Sequence, residues 1–341
     1  MINKLPKISI VTPSFNQGEF LEECIDSVLS QNYPNLEYVV MDGGSTDNSV
    51  AIIRKYEKYL TYWQSKPDGG QYQAIDDGFR RTTGEIMAWL NSDDKYHHHA
   101  FFKIAWLFSR CKEIEWLTGR HSYWGKSGEL LDVLVDDLPC FDRAGHLNGQ
   151  YMQISIQQES TFWRRTLWER AGGCLRHDLD YAGDLELWTR FYRFAPLHVA
   201  DHLLGGYRKH GNQKAVLHLD HYLAEAERVV AAERELLANN EFVELLPAPS
   251  PVRVSYGEFA VYLEDVHTDH PGHHYRHGDS SDHVIDSLVQ RLVEMRRTLD
   301  YSRLRRFKRA VFGLALSICS PAMQASLLRL RSRYAEMKKM S

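Results

Sequence analysis

Short apolar runs in the first hundred residues each end in a polar cluster, and helical stripes separate them. Ile8 to Thr12 is rich in β-branched residues and closes on Thr12-Pro13-Ser14. Leu36 to Met41 is continuously apolar and closes on Asp42-Gly43-Gly44, and a further strand is expected near Leu60 to Gln64. Glu85 to Leu90 points into Asn91-Ser92-Asp93-Asp94. Between these runs, Phe20, Leu21, Cys24, Ile25, Val28 and Leu29 recur at helical spacing from Glu19 to Gln31. Ser45 or Thr46 can cap a helix carrying Val50, Ile52 and Ile53, and another helix spans Gln71 to Arg81. Repeated strand–helix–strand units predict an α/β fold with a mainly parallel sheet covered by helices on both faces. Ligands bind such sheets beyond the carboxyl ends of the strands, so the three polar clusters should converge in space.

The 341 residues allow one large α/β domain and a smaller appended region. We expect a catalytic domain over 1–215, with a nucleotide half at 1–110 and an acceptor half at 111–215, followed by a helical extension over 216–341. A long helical pattern runs from Val216 to Leu246 and ends in the stiff linker Pro247-Ala248-Pro249-Ser250-Pro251. The formal net charge of -4 argues against a general nucleic-acid binder. Five dispersed cysteines suggest reduced thiols. No apolar stretch approaches the roughly 20 residues of a membrane span, and Met1 to Lys7 carries no secretory h-region. The expected location is cytoplasmic.

Asp93 and Asp94 follow a buried-type strand without a turn residue between. Adjacent carboxylates there repel and lose solvation unless a cation is near. Mn²⁺ or Mg²⁺ suits such a site, with substrate phosphates and water completing its shell. As a bare pattern the run reads equally well as an acidic turn capping the next helix, and Asp42-Gly43-Gly44-Ser45 is a good turn by local chemistry alone.

Val11-Thr12-Pro13-Ser14-Phe15-Asn16, Val39 to Asp47, Ser65 to Gln71, Thr83-Gly84-Glu85-Ile86 and Leu90 to Asp94 together resemble the inverting family 2 glycosyltransferases, which have the GT-A fold. The resemblance covers Ile8 to Asp94 in order and spacing. It implies a nucleotide-sugar donor, with Thr12, Pro13 and Asp42 around the base and ribose and Asp68 nearby. Asp93 would touch ribose or metal, and Asp94 would be the metal ligand. Asn91 stands at the first position of the family's acidic motif and is given no metal role. Asp180 to Arg190 resembles the family segment in which a Glu-Asp pair precedes an aromatic-rich helix. Here the pair is Gly183-Asp184, and Asp184 takes the place of the base that deprotonates the acceptor hydroxyl; its local alternative is a helix N-cap. Gln158 and Glu159 align with an acceptor-side segment. His210 would serve the metal and Arg208 the diphosphate, as a fork.

His97-His98-His99 reads as an exposed lead-in to a helix starting near Ala100, and the histidines between His267 and His283 as a polar loop. Arg303 to Arg309 beside Val311 to Leu316 suits either an anionic membrane surface or packing on the catalytic domain. The acceptor expected by analogy is a saccharide, lipid-linked in the membrane-bound case, in bacterial cell-surface polysaccharide synthesis. A nucleotidyltransferase would need a Gly-rich, basic phosphate loop where Pro13 to Gln17 stands. A non-catalytic nucleotide-sugar module is left open by Asn91 and Gly183.

Overall fold

The computed structural model describes residues 5–134, 141–152 and 154–239, together with the backbone of strands at 252–256, 260–265 and 271–276. The N-terminal part alternates as the sequence predicts: β1 (Ile8–Ser14), α1 (Leu21–Leu29), β2 (Leu36–Asp42), α2 (Ser49–Tyr56), β3 (Tyr62–Ser65), α3 (Gln71–Phe79) and β4 (Ile86–Trp89). β1 pairs in parallel with β2 and β4, and β2 with β3. Ser14 lies opposite Asp42 and Asp42 opposite Ser65, so these carboxyl ends are level. The Leu90 N–H donates to the Val11 carbonyl, which brings the acidic run alongside Thr12 and Pro13. The expected convergence is a matter of register.

Next come β5 (Lys95–Tyr96), α4 (Ala100–Arg110), β6 (Trp116–Thr118), β7 (Ser122–Gly125), β8 (Leu130–Val133) and α5 (Arg143–Leu147). β9 (Thr161–Arg164), α6 (Arg165–Arg170), α7 (Gly183–Phe191), β10 (His198–Ala200) and β11 (Gly205–Lys209) complete this half. β9 runs antiparallel between β4 and β6, joining the two halves into one sheet. A second sheet, ordered β5-β11-β7-β8, lies beside the acidic run.

The core is aromatic where the halves meet. Trp89 of β4 stacks on Trp188 of α7 at 6.1 Å, Trp116 stacks on Trp188 at 5.4 Å, and Trp163 meets Trp89 and Trp188 edge-on. Such pairs add roughly 0.5–1.5 kcal/mol each beyond area burial, which fixes α7 against the sheet.

Three local expectations change. Neither Ser45 nor Thr46 caps α2: Ser45 donates its hydroxyl to Asp42, and the Thr46 N–H goes to the Asn16 side chain. His97 is buried rather than exposed. Its Nε2 meets the Ser122 hydroxyl at 2.8 Å, and burial lowers its pKa to about 3, so the ring is neutral. α8 (Lys214–Leu217) and α9 (Leu219–Ala238) follow β11, but α9 packs into the main core through Ala226, Val229 and Val230. Its buried Glu233 pairs with Arg193 and Arg143.

β12 (Val252–Tyr256) pairs in parallel with β10, and β13 (Ala260–Asp265) and β14 (Pro271–Arg276) continue that edge antiparallel. The expected extension is therefore not wholly helical, and part of the histidine-rich segment is a strand. The Pro247–Pro251 linker and the basic tail lie outside the described residues.

Candidate active site

The Asp42 carboxylate is buried and shapes its own turn. One oxygen accepts the Gly44 and Ser45 N–H groups and the Ser65 hydroxyl at 3.1, 2.9 and 2.7 Å, and the other accepts the Ser45 hydroxyl at 2.5 Å. What this turn presents outward is Gly43, flanked by Asp68 and the exposed ring of Phe15. Thr12 is fully buried with its hydroxyl 3.0 Å from Tyr38 Oη, so its side chain faces the core rather than the sheet's end. Pro13, opposite Met41, and Ser14 line that end.

The acidic run divides its labour. Asp94 is buried. Its Oδ1 accepts the Arg208 N–H at 2.8 Å, while Oδ2 faces only a long contact, 3.4 Å, from the Asn91 amide. Burial, then the neighbouring charges of Asp93 and Glu159, holds its pKa well above the usual carboxylate range. Asp93 Oδ2 lies 3.1 Å from His210 Nε2. Asn91 accepts from Gln71 Nε2 at 2.8 Å and donates towards Asp94 and Gln158. An aspartate at this position could not donate to either, which accounts for the departure from the family motif.

Arg208 does not have the freedom expected of a phosphate fork. Its guanidinium is 1% exposed. It donates to the carbonyls of Asp93, Gly125 and Lys126 and to Glu23, and Glu23 also pairs with Lys95. The expectation fails because β11 runs inside the second sheet, where an arginine must be satisfied by the protein itself. Arg208 instead braces the turn that carries Asp93.

Gln158 is also internally engaged, donating to the Trp89 carbonyl at 2.8 Å. Glu159 differs. It is buried, its Oε1 has no hydrogen-bond partner, and burial followed by the charges of Asp184 and Asp93 pushes its pKa up to about 8. Glu159 therefore senses both the acidic run and the proposed base. Asp184 lies in the first turn of α7 but is not its N-cap, a place held by Ala182. Burial raises its pKa to about 6. Asp184 also lines a pocket with Phe141, His146, Tyr151, Trp188 and Tyr222.

Gly183 has a steric reason. A Cβ there would sit 2.5 Å from the Tyr72 ring, and the Gly183 N–H donates to Tyr72 Oη at 2.8 Å. Tyr72, Gln71 and Glu225 of α9 contribute to this region and were not singled out from the sequence. Their contacts cross 111, 20 and 45 residues or so of chain, and no local pattern announces them. Among the described residues, no group of three His, Cys, Asp or Glu side chains converges by itself on a metal position.

A parallel N-terminal set of strands joined through an antiparallel strand to a second set, with carboxylates at the strand ends, defines a GT-A-type fold. The model of glycosyl transferase family 2 matches residues 9–128. An uncharacterized glycosyltransferase of Mycobacterium tuberculosis is 39% identical over 197 residues, covering 54% of this chain and 68% of the relative. The putative teichuronic acid biosynthesis glycosyltransferase TuaG of Bacillus subtilis is 34% identical over 101 residues, 28% of this chain and 39% of TuaG. The crystal structure of S. aureus TarS 1-349 with UDP-GlcNAc superposes with a TM-score of 0.52 at 20% identity, covering 67% of this chain and 66% of that one. This chain spans only 39% of a longer TarS structure. The protein belongs to glycosyltransferase family 2 and is a glycosyltransferase.

Proposed function

We propose that the protein transfers a sugar, with inversion, from a nucleoside-diphosphate sugar to an acceptor hydroxyl, with Asp184 as the base. The observation that carries this reading is the buried Glu159, with one carboxylate oxygen unpartnered, whose protonation is favoured by the charges of both Asp93 and Asp184. A carboxylate with a pKa of about 6 is ionised at neutral pH yet basic enough to accept a proton from an attacking hydroxyl. Pro13, the Asp42 turn, Asp68 and Asp93 would hold the nucleotide, and Asp184 would face the acceptor hydroxyl, with Glu159 near the sugar.

The acidic run could take a divalent cation only together with the donor diphosphate, since among the described residues no three His, Cys, Asp or Glu side chains converge on one position. Asp94 keeps one oxygen without a strong donor, no side-chain cation among the described residues pairs with it, and its neighbour Asp93 meets His210. Asp94, Asp93 and His210 would hold Mn²⁺ or Mg²⁺, the diphosphate completing the shell. Such an ion, when bound, neutralises the leaving diphosphate.

A UDP-linked donor is supported by the TarS complex with UDP-GlcNAc, and cell-surface polysaccharide synthesis by the teichuronic acid assignment of TuaG. In this reading the acceptor is a saccharide, lipid-linked at the inner membrane face, with the basic tail meeting the lipid. No helix among the described residues is long and apolar enough to cross a membrane. The test is a thermal-shift screen of nucleotide sugars with Mn²⁺, followed by release of the nucleotide from the selected donor. Full release by Asp184→Asn would defeat the assignment of the base.

A further inference from the structure

Four consecutive backbone N–H groups lead into Asp184, and two side chains from remote helices take all of them. Glu225, on α9, accepts the N–H of Asp180 through Oε1 at 2.9 Å and those of Tyr181 and Ala182 through Oε2 at 2.9 Å each. Tyr72, on α3, accepts the N–H of Gly183 at 2.8 Å. From the same side as Glu225, Lys214 donates to the Asp180 carbonyl at 2.7 Å. Asp180 and Tyr181 precede the N-cap, Ala182, so their N–H groups lie outside the helix and need a partner from elsewhere, and Ala182 has no side chain able to supply one. Glu225 does so from another element, as an anion at the positive end of the helix. Although burial opposes ionisation of Glu225, the three N–H donors outweigh it and keep the carboxyl below its usual range.

We propose that Glu225 is a positioning residue for sugar transfer: it fixes the Asp180–Ala182 segment and thereby the place of the Asp184 carboxylate, with Tyr72 holding the following residue. The inference rests on Asp184 being the base. It gives α9 a part in the reaction, although the sequence assigns that helix to an appendage. Misplacing a reacting group by about 1 Å can lower a rate by roughly 100-fold. A lost outer partner of this kind lowers activity by roughly 10- to 100-fold where it has been measured at metal sites.

The experiment compares Glu225→Ala, Glu225→Gln, Tyr72→Phe and Asp184→Asn in the full chain. UDP binding with Mn²⁺ is measured by calorimetry, nucleotide release from the donor by its kcat and KM, and the folded fraction by thermal denaturation. Glu225→Ala should lower kcat per folded molecule by at least about 10-fold, with Glu225→Gln and Tyr72→Phe intermediate and UDP affinity unchanged. The loss should fall in kcat with the donor KM unchanged, a split that a general loosening of the fold would not give. Should Glu225→Ala not fold, Glu225→Gln and Tyr72→Phe decide. Wild-type kcat in folded Glu225→Gln and Tyr72→Phe, with Asp184→Asn inactive, would overturn the positioning role and leave the base assignment intact. Activity in Asp184→Asn would instead remove the base assignment itself.

Discussion

Asp93 and His210 stand 117 residues apart in the chain, yet their Oδ2 and Nε2 atoms meet at 3.1 Å under the ring of Phe20, which packs on the imidazole at 4.5 Å. The His210 side chain is 2% exposed and that of Asp93 19%. The pair is thus prepared on one side and open on the other.

Replacing His210 with alanine should weaken Mn²⁺-dependent nucleotide binding by roughly 10- to 100-fold while leaving the fold intact. Calorimetric titration of UDP at several Mn²⁺ concentrations checks this. An unchanged metal dependence would remove His210 from the metal site.

Nucleotide release should rise as pH passes through about 6, because Asp184 works only when ionised and burial raises its pKa to that value. Stability should move the other way. The folded pKa lies above the ordinary aspartate value, so the folded state holds the proton more tightly and loses stability as pH climbs from about 4 to about 6. Asp184→Asn should therefore abolish transfer and yet stabilise the fold at pH 7.5 by on the order of 1 kcal/mol. Rate–pH profiles and melts at both ends of that range read the two effects separately.

Restoring the acidic partner, Gly183→Glu, should not improve the enzyme. The added Cβ would lie 2.5 Å from the Tyr72 ring, so overpacking of about 1–3 kcal/mol is expected. Combining it with Tyr72→Ala should recover part of that loss in a denaturation experiment. Additive effects would mean that the two positions do not compete for space.

Arg208→Met should lower stability by about 1–3 kcal/mol, since it strips the Asp93, Gly125 and Lys126 carbonyls of their donor while Glu23 keeps Lys95. Its effect on UDP affinity, measured on the folded fraction, should be much smaller. A selective loss of UDP binding with normal stability would return Arg208 to the diphosphate.

The nucleotide half was largely legible because its determinants are local. Apolar runs such as Leu36 to Met41 and stripes such as Leu21-Cys24-Ile25-Val28 specify the period, and the parallel register follows from the repeated unit. Individual roles were less legible. Thr12 lies at a strand end and Arg208 beside the acidic run, but which way each side chain turns depends on Tyr38 in one case and on Glu23 and the 125–126 carbonyls in the other. Asn91 and Gly183 looked like defects until their neighbours, Asp94 and Tyr72, were in view. The part played by α9 was hidden because a helix with many exposed charges gives no sign of which one reaches another element.

The stacked tryptophans carry one more consequence. Trp89 lies two residues before Asn91, and Trp188 lies four residues after Asp184 on α7, in parallel contact with it. Indoles this close share excitation, so light absorbed by either is emitted from the lowest-energy member of the group. Occupancy at the acidic turn and movement of α7 would therefore reach the same emission. Intrinsic tryptophan emission followed in stopped flow is therefore expected to report on the seam between β4 and α7.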